Sequence, residues 1–459
     1  MNSELEKQIS LIREEAVKTL QKWIRQPSVP MAPAAGAPFG KDIRAMLDLA
    51  EADMKALGFE TFVDDGYAMH ADFGGGKAED ALGILGHLDV VPVGEGWTME
   101  PFCGDIHDGK IWGRGSSDDK GPMVAAAYAL AAVKRAGIPL KRKVRLVFGC
   151  DEETGTVSLT HYKKNAVMPR SGFSPDADYP VINLEKGGCH VSLEGALSKD
   201  GVQLKRFNVG HAVNVIPGEA EAVVLGDESL AARAMECGRE LGFETSAVTS
   251  GGEVTIRTVG VQGHAAMGEN CKNAIGQMLL ILKGIGVGGA VEKLADLVGM
   301  DYHGEKLGIA VEDKLSGKLT CAMDIIKAGE ETGTARVILD IRYPLLMNVD
   351  SMMKALTMTL NGRLEATLLS SRTPHFVSAE STLVRELLAA YEEITGEKGE
   401  AMAIGGGTYA REMDEGVAFG ALFPGDTEMA HQPDEYMDLE RFYQNLRIFA
   451  CAIVRLAGA

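Results

Sequence analysis

Residues 83–92 read GILGHLDVVP. An apolar run stops abruptly at His87, and Asp89 follows two places on. The run has no polar alternation, so it predicts a strand covered on both faces rather than one with a wet side. Side chains two apart on an extended chain point the same way, which sets Asp89 to accept the second N–H of His87. Ligands of open α/β sheets gather at the carboxyl ends of the strands, where this pair lies. A surface His–Asp pair would give the same letters, so the neighbouring segments decide.

A second apolar run, 144–149, opens into Cys150, Asp151, Glu152, Glu153, Thr154 and Gly155. Three acids in a row repel one another; a solvated loop tolerates this, and a divalent cation turns the cost into binding energy. Residues 121–136 read as a helix between the two runs, and 181–184 as a further strand. Strand, helix, strand predicts an α/β domain with a mostly parallel central sheet covered by helices. The segment GRGSSDDKG, 113–121, has glycines for a tight turn and places Asp118 and Asp119 at a helix start, where acidic N-capping is the competing explanation. Pro175–Asp176–Ala177–Asp178 adds acids at the sheet margin, and His431 is available near the C-terminus. A set of His87, Asp118, Glu153, Asp176 and His431 suits zinc, manganese or cobalt better than calcium or magnesium. One shared carboxylate would let each of two ions, roughly 3.5–4 Å apart, take one imidazole and one further acid.

From about residue 190 the texture changes. Segments 219–225, 253–259 and 334–342 alternate like half-exposed strands, with helical patterns at 228–241, 271–283 and 349–361. The first style returns after 375, with a helix at 380–395, glycines at 405–407, an apolar strand at 417–423 and a closing helix at 439–456. We therefore expect a catalytic domain, 1–189 and 375–459, interrupted by an inserted α+β lid domain, 190–374, with ferredoxin-like halves. Gly284, Gly286 and Gly289 match GxGxxG but follow a helix, which argues against a dinucleotide site.

The 459 residues, 46% hydrophobic and 24% charged, allow large cores. A net charge of −19 argues against nucleic acid and anionic membranes as partners. Seven scattered cysteines, the absence of a signal-like N-terminus and an apolar stretch, 123–133, too short to span a bilayer predict a cytoplasmic protein with reduced thiols.

HLDVVP, GRGSSDDKGP, DEETG, PDA, GGGTYAR and HQPDE, in this order and spacing, resemble the dinuclear zinc metallopeptidase family of carboxypeptidase G, acetylornithine deacetylase and succinyl-diaminopimelate desuccinylase. GGGTYAR, PDADYPV, RYP at 342–344 and the long insertion are most similar to bacterial dipeptidases of the PepV type. The resemblance implies His87 and Asp176 on one ion, Glu153 and His431 on the other, and Asp118 between them, followed by a cis peptide bond. It implies Asp89 behind His87, Glu152 as general base, and His264 of the lid on the oxyanion of the intermediate. Asn214 and Arg342 would grip the substrate's C-terminal carboxylate, with Gly406, Gly407 and Thr408 lining the same end of the pocket. Gly268 and Cys271 depart from the family's usual Pro and Gly. The implied activity is hydrolysis of dipeptides with a free carboxylate through a hydroxide shared by two ions, zinc first, manganese or cobalt otherwise. An N-acyl amino acid deacylase shares the same ligands, and a noncatalytic metal- or peptide-binding protein would not need Glu152. The implied assembly is a monomer whose own lid supplies His264.

Overall fold

The computed structural model describes residues 2–459. The chain divides into two compact units, one running to Asn183 and resuming at Phe376–Met402 and Gly407–Ala459, the other comprising Leu184–His375 and Ala403–Gly406.

The first unit is built on a sheet whose four central strands run parallel. Leu82–His87 and Val144–Gly149 are buried at every position, as their unbroken apolar runs require. They pair with His87 opposite Gly149. Leu82–His87 also pairs with Ser171–Ser174, which pairs with Glu415–Ala418. The flanks are antiparallel: Ala68–Phe73 lies on Val144–Gly149, Glu60–Asp64 lies beyond it, and Ile182 faces Ala418 across the opposite margin. The expected strand at 181–184 thus belongs to the antiparallel margin, and Ser171–Ser174, too short and polar to stand out, takes the central place.

Side chains alternate between two cores. Leu82, Ile84, Leu146 and Phe148 pack with the helices Ser3–Arg25, Lys41–Ala56, Lys120–Arg135, Thr382–Thr395 and Leu439–Ala457. Leu85 and Val147 face the other way, onto Leu159 and Tyr162 of the helix Val157–Asn165. Lys120–Arg135 is buried from Lys120 through Val133, which accounts for its alanine-rich, all-round apolar sequence. Leu439–Ala457 begins where the Asp438 carboxylate accepts the N–H groups of Glu440 and Arg441.

The second unit is α+β, with one antiparallel sheet ordered Glu244–Ser250, Glu253–Val259, Glu219–Leu225, Leu204–Val209, Thr320–Gly329, Thr334–Tyr343, Gly187–Gly201, Val287–Gly289, and Glu365–Arg372 also paired to Gly187–Gly201. Helices Glu228–Leu241, Ala274–Gly284, Ala290–Leu297 and Val349–Leu360 share its core. Asn273, whose side chain accepts the Ile275 N–H, fixes the start of Ala274–Gly284 a few residues later than the periodicity predicts.

Candidate metal centre

Strand register alone assembles half of the centre. Leu82, Gly83 and Ile84 stand opposite Ser171, Gly172 and Phe173. Extending that register three residues sets Asp176 level with His87. The parallel partner ends at Gly149, so Cys150 to Glu153 emerge at the same edge. Asp118 arrives at the entry to Lys120–Arg135, after a turn whose Asp118–Asp119 peptide bond is cis. Gly86 makes this approach feasible, since a Cβ there would stand 2.1 Å from Asp119 Oδ2.

Asp118 presents a different oxygen to each imidazole. Its Oδ1 lies 2.9 Å from His87 Nε2 and its Oδ2 3.1 Å from His431 Nε2. Asp176 Oδ2 is 3.8 Å from His87 Nε2, and Glu153 Oε2 is 3.0 Å from His431 Nε2. Ligand atoms of His87, Glu152 and Asp176, and likewise of His87, Asp118 and Glu153, lie within 4.8 Å of one another. The five proposed ligands and Glu152 therefore converge, although His87 and His431 are 344 positions apart in the chain.

Asp89 is placed behind His87, with a difference from the expectation. The His87 Nδ1–H donates to the main-chain carbonyl of Asp89 at 2.9 Å, while the Asp89 carboxylate is 3.5 Å away. That carboxylate instead accepts the N–H groups of Glu152 and Glu153, each at 3.1 Å. The result still leaves His87 Nε2 facing the centre. Of the three consecutive acids, only two enter the centre. Asp151 turns away and accepts the N–H groups of Val157 and Ser158 at 2.7 and 3.0 Å, capping Val157–Asn165.

The charge balance calls for cations. Burial, then the charge of Asp176, raises Glu152 well above the ordinary carboxylate range. Burial, then Asp118, raises Glu153 to about 7 and Asp176 to about 6. Asp118 is held below its ordinary value despite burial, because His431 and His87 hydrogen-bond to it. His431 is raised to about 11 by Asp118 and Glu153. Four carboxylates confined with two imidazoles form a donor set that divalent cations neutralise and order, so the residues fit a metal centre.

Sequence reasoning missed several supports. Tyr409 donates to Asp151 Oδ1 at 3.3 Å and packs edge-on to His87 with ring centroids 6.4 Å apart. Arg114 and Glu435, both fully buried, join the loops that bear Asp118 and His431. Gly407 and Thr408 lie in this unit, and Thr408 caps the short 3-10 turn Tyr409–Glu412 by accepting the Ala410 N–H.

Asn214, His264, Arg342 and Gly406 lie in the second unit. Val215 pairs with His264, and Asn214 accepts the Ala265 N–H through its carbonyl at 2.9 Å, so Asn214 and His264 are neighbours. The Asn214 N–H donates to Asp324 Oδ2 at 2.6 Å, which holds that residue at φ 97°. Arg342 forks onto Asp340 through Nε and Nη2, both at 2.6 Å, leaving Nη1 3.5 Å from the Gly405 carbonyl. An internal fork of this kind fixes the guanidinium plane.

Residues 83–455 match the model of Peptidase family M20/M25/M40. A Bacillus subtilis (strain 168) protein provisionally named dipeptidase YtjP is 36% identical over 461 residues, covering 97% of this chain and 98% of that protein. The Beta-Ala-Xaa dipeptidase of Lactobacillus delbrueckii subsp. lactis is 35% identical over 413 residues, covering 88% and 87%. Among solved structures, human carnosine dipeptidase 1 superposes with a TM-score of 0.62 at 17% identity over 99% of both chains. The fold is therefore similar to that of this solved structure.

Proposed function

The chain belongs to peptidase family M20/M25/M40, and on that premise we propose that it is a metal-dependent dipeptidase acting on dipeptides with a free C-terminal carboxylate. The observation that carries the reading is Asp118, whose two oxygens face two imidazoles, one at the end of a strand and one on a loop. His87 and Asp176 would hold one ion, Glu153 and His431 the other, and Asp118 would bridge them. Zinc is the first choice, with manganese or cobalt next, because imidazole and carboxylate donors suit all three. When bound, two such ions polarise the scissile carbonyl and lower the pKa of an attacking water.

This chain's residues supply the rest. Glu152, whose N–H donates to the Asp89 carboxylate at 3.1 Å, takes the proton of the attacking water and hands it to the leaving amine. His264 donates to the oxyanion of the tetrahedral intermediate. Arg342 and Asn214 take the substrate's carboxylate, with Gly406, Gly407 and Thr408 at the same end. The relatives bearing dipeptidase names support this choice of substrate. We place the protein in the cytoplasm; the scatter of its cysteines along the sequence supports this, and no described helix is long and apolar enough to cross a membrane.

The test is a substrate panel. Chelator-stripped enzyme, then enzyme reloaded with Zn²⁺, Mn²⁺ or Co²⁺, is assayed on dipeptides, tripeptides, C-terminally amidated dipeptides and N-succinyl amino acids. We expect no turnover without metal, recovery on reloading, and a preference for free dipeptides over amidated ones. A preference for succinylated substrates would replace the dipeptidase reading with a deacylase.

A further inference from the structure

A buried ion pair ties the two ends of the centre together. Arg114 is 1% exposed and Glu435 0%. Arg114 Nη1 donates to Glu435 Oε2 at 2.7 Å across 321 positions of sequence. The other Glu435 oxygen, Oε1, gathers the loop that leads into Asp118. It accepts the N–H groups of Gly115, Ser117 and Asp118 at 3.0, 2.9 and 3.3 Å, and the Ser117 hydroxyl at 3.0 Å. In return Arg114 reaches the loop that bears His431, donating to the main-chain carbonyls of Gln432 at 3.2 Å and His431 at 3.3 Å. Each partner of the pair thus holds the main chain of the opposite loop.

The two imidazoles depend on this pair unequally. His87 ends a fully buried strand and is fixed by the Asp89 carbonyl and, through its N–H, by Asp119 Oδ2 at 3.1 Å. His431 has a side chain 51% exposed, sits in no helix or strand, and holds a left-handed φ of 65°. A non-glycine residue stays in that region only where its surroundings over-determine it. Arg114 at its carbonyl and Glu435 four residues on supply that restraint. Asp118 is common to both sides, but its backbone N–H is one of four donors on Glu435 Oε1.

We propose that the Arg114–Glu435 pair is the positioning device for one ion of the centre, the one taken by His431 and Glu153, so that breaking it costs the protein that ion and spares the other. The pair touches neither substrate nor metal and acts only through the geometry of its loops. The inference rests on the two-ion reading above.

The experiment is Zn²⁺ titration against a chromophoric chelator, with metal counted after dialysis, on wild type, Glu435→Gln, and the double variant Arg114→Met with Glu435→Gln. The double variant removes both charges together, so no lone charge is left buried. We expect two tight ions in wild type. In the double variant one ion should weaken on the order of 10–100-fold, the usual scale for supports behind metal ligands, with the other unchanged. Glu435→Gln, which keeps an acceptor for the loop N–H groups, should fall between. In a His431→Ala background, which lacks the affected ion, the same changes should leave the remaining ion untouched. A pair with a merely structural role would lower the unfolding temperature and leave both affinities as in wild type; that result, or equal weakening of both ions, overturns the proposal. If the double variant does not fold, Glu435→Gln and Arg114→Lys decide by the same criterion. Fewer than two ions on wild type would overturn the two-ion reading itself, and the inference with it, separately from any variant.

Discussion

Asp118 meets both imidazoles, while Glu152, the proposed base, has a carboxylate oxygen within 4.8 Å of a ring nitrogen of His87. Replacing Glu152 with Ala removes no proposed ligand, so bound metal should stay at the wild-type count while turnover falls by at least about 10²–10⁴-fold, the range for losing general acid–base catalysis. Metal analysis and steady-state kinetics on one preparation check this, and unchanged hydrolysis would refute the assigned base. A second prediction concerns the wall behind His87. A Cβ on Gly149 would lie 2.3 Å from Tyr409 Cε2, in a contact that buries Tyr409 to 1% exposure. Gly149→Ala should therefore destabilise the first unit by about 1–3 kcal/mol, as overpacking does, measured by denaturant unfolding. Of the proposed ligands, His87, Glu153 and Asp118 stand out in the sequence at abrupt changes of pattern: His87 ends an apolar run, the acids follow another, and Asp118 follows glycines; His431 is marked only by the family resemblance. Tyr409, Arg114 and Glu435 were not legible. Each lies inside a motif, GGGTYAR, GRGSSDDKGP or HQPDE, but its contacts reach hundreds of positions away, which the motif itself does not reveal.

Among the elements, legibility followed length and apolar continuity. The long helices and the two buried strands were visible, whereas Ser171–Ser174, Glu60–Asp64 and Ala68–Phe73 were hidden because they are short or mix polar with apolar residues. Ala68–Phe73 holds a consequence for acid stability. His70 in this strand is 9% exposed, and the Tyr162 hydroxyl meets its Nδ1 at 2.7 Å. Burial first, then the charge of Arg145, lowers its pKa from 6.5 to about 4. The folded strand thus holds the neutral ring, while the unfolded chain takes up a proton more readily. Stability from this source is whole above the unfolded value of 6.5 and is lost as the pH falls through the folded value near 4. By pH 4.5 the loss should approach roughly 2 kcal/mol. Other carboxylates titrate in the same window, so the informative quantity is a difference. Denaturant unfolding at pH 7 and 4.5 should show a smaller acid penalty in His70→Gln than in wild type by about that amount; equal penalties would show that His70 is not held neutral.

At the scale of the whole molecule, two compact units in one chain raise the question of which copy serves which. The proposed base, Glu152, lies in the first unit, and the proposed oxyanion donor, His264, in the second. If His264 serves the centre of its own chain, a monomer is complete. If it serves a second copy, only a dimer works. We propose the first arrangement, on the strength of the long insertion that resembles PepV-type lids. A complementation assay separates the two. Glu152→Ala and His264→Ala variants are each expected to be nearly inactive. Mixed after unfolding and refolding together, a dimer that shared His264 would assemble some sites with an intact base from one chain and an intact histidine from the other, and would regain up to about a quarter of wild-type activity, the statistical share for random pairing. A self-sufficient monomer has no such route and the mixture should stay at the sum of its parts. Specific activity of the wild type should likewise stay flat on dilution, because mass action has no assembly to undo. Recovery in the mixture, or activity that falls with dilution, would move His264 into the partner's site and make the protein an obligate dimer in function.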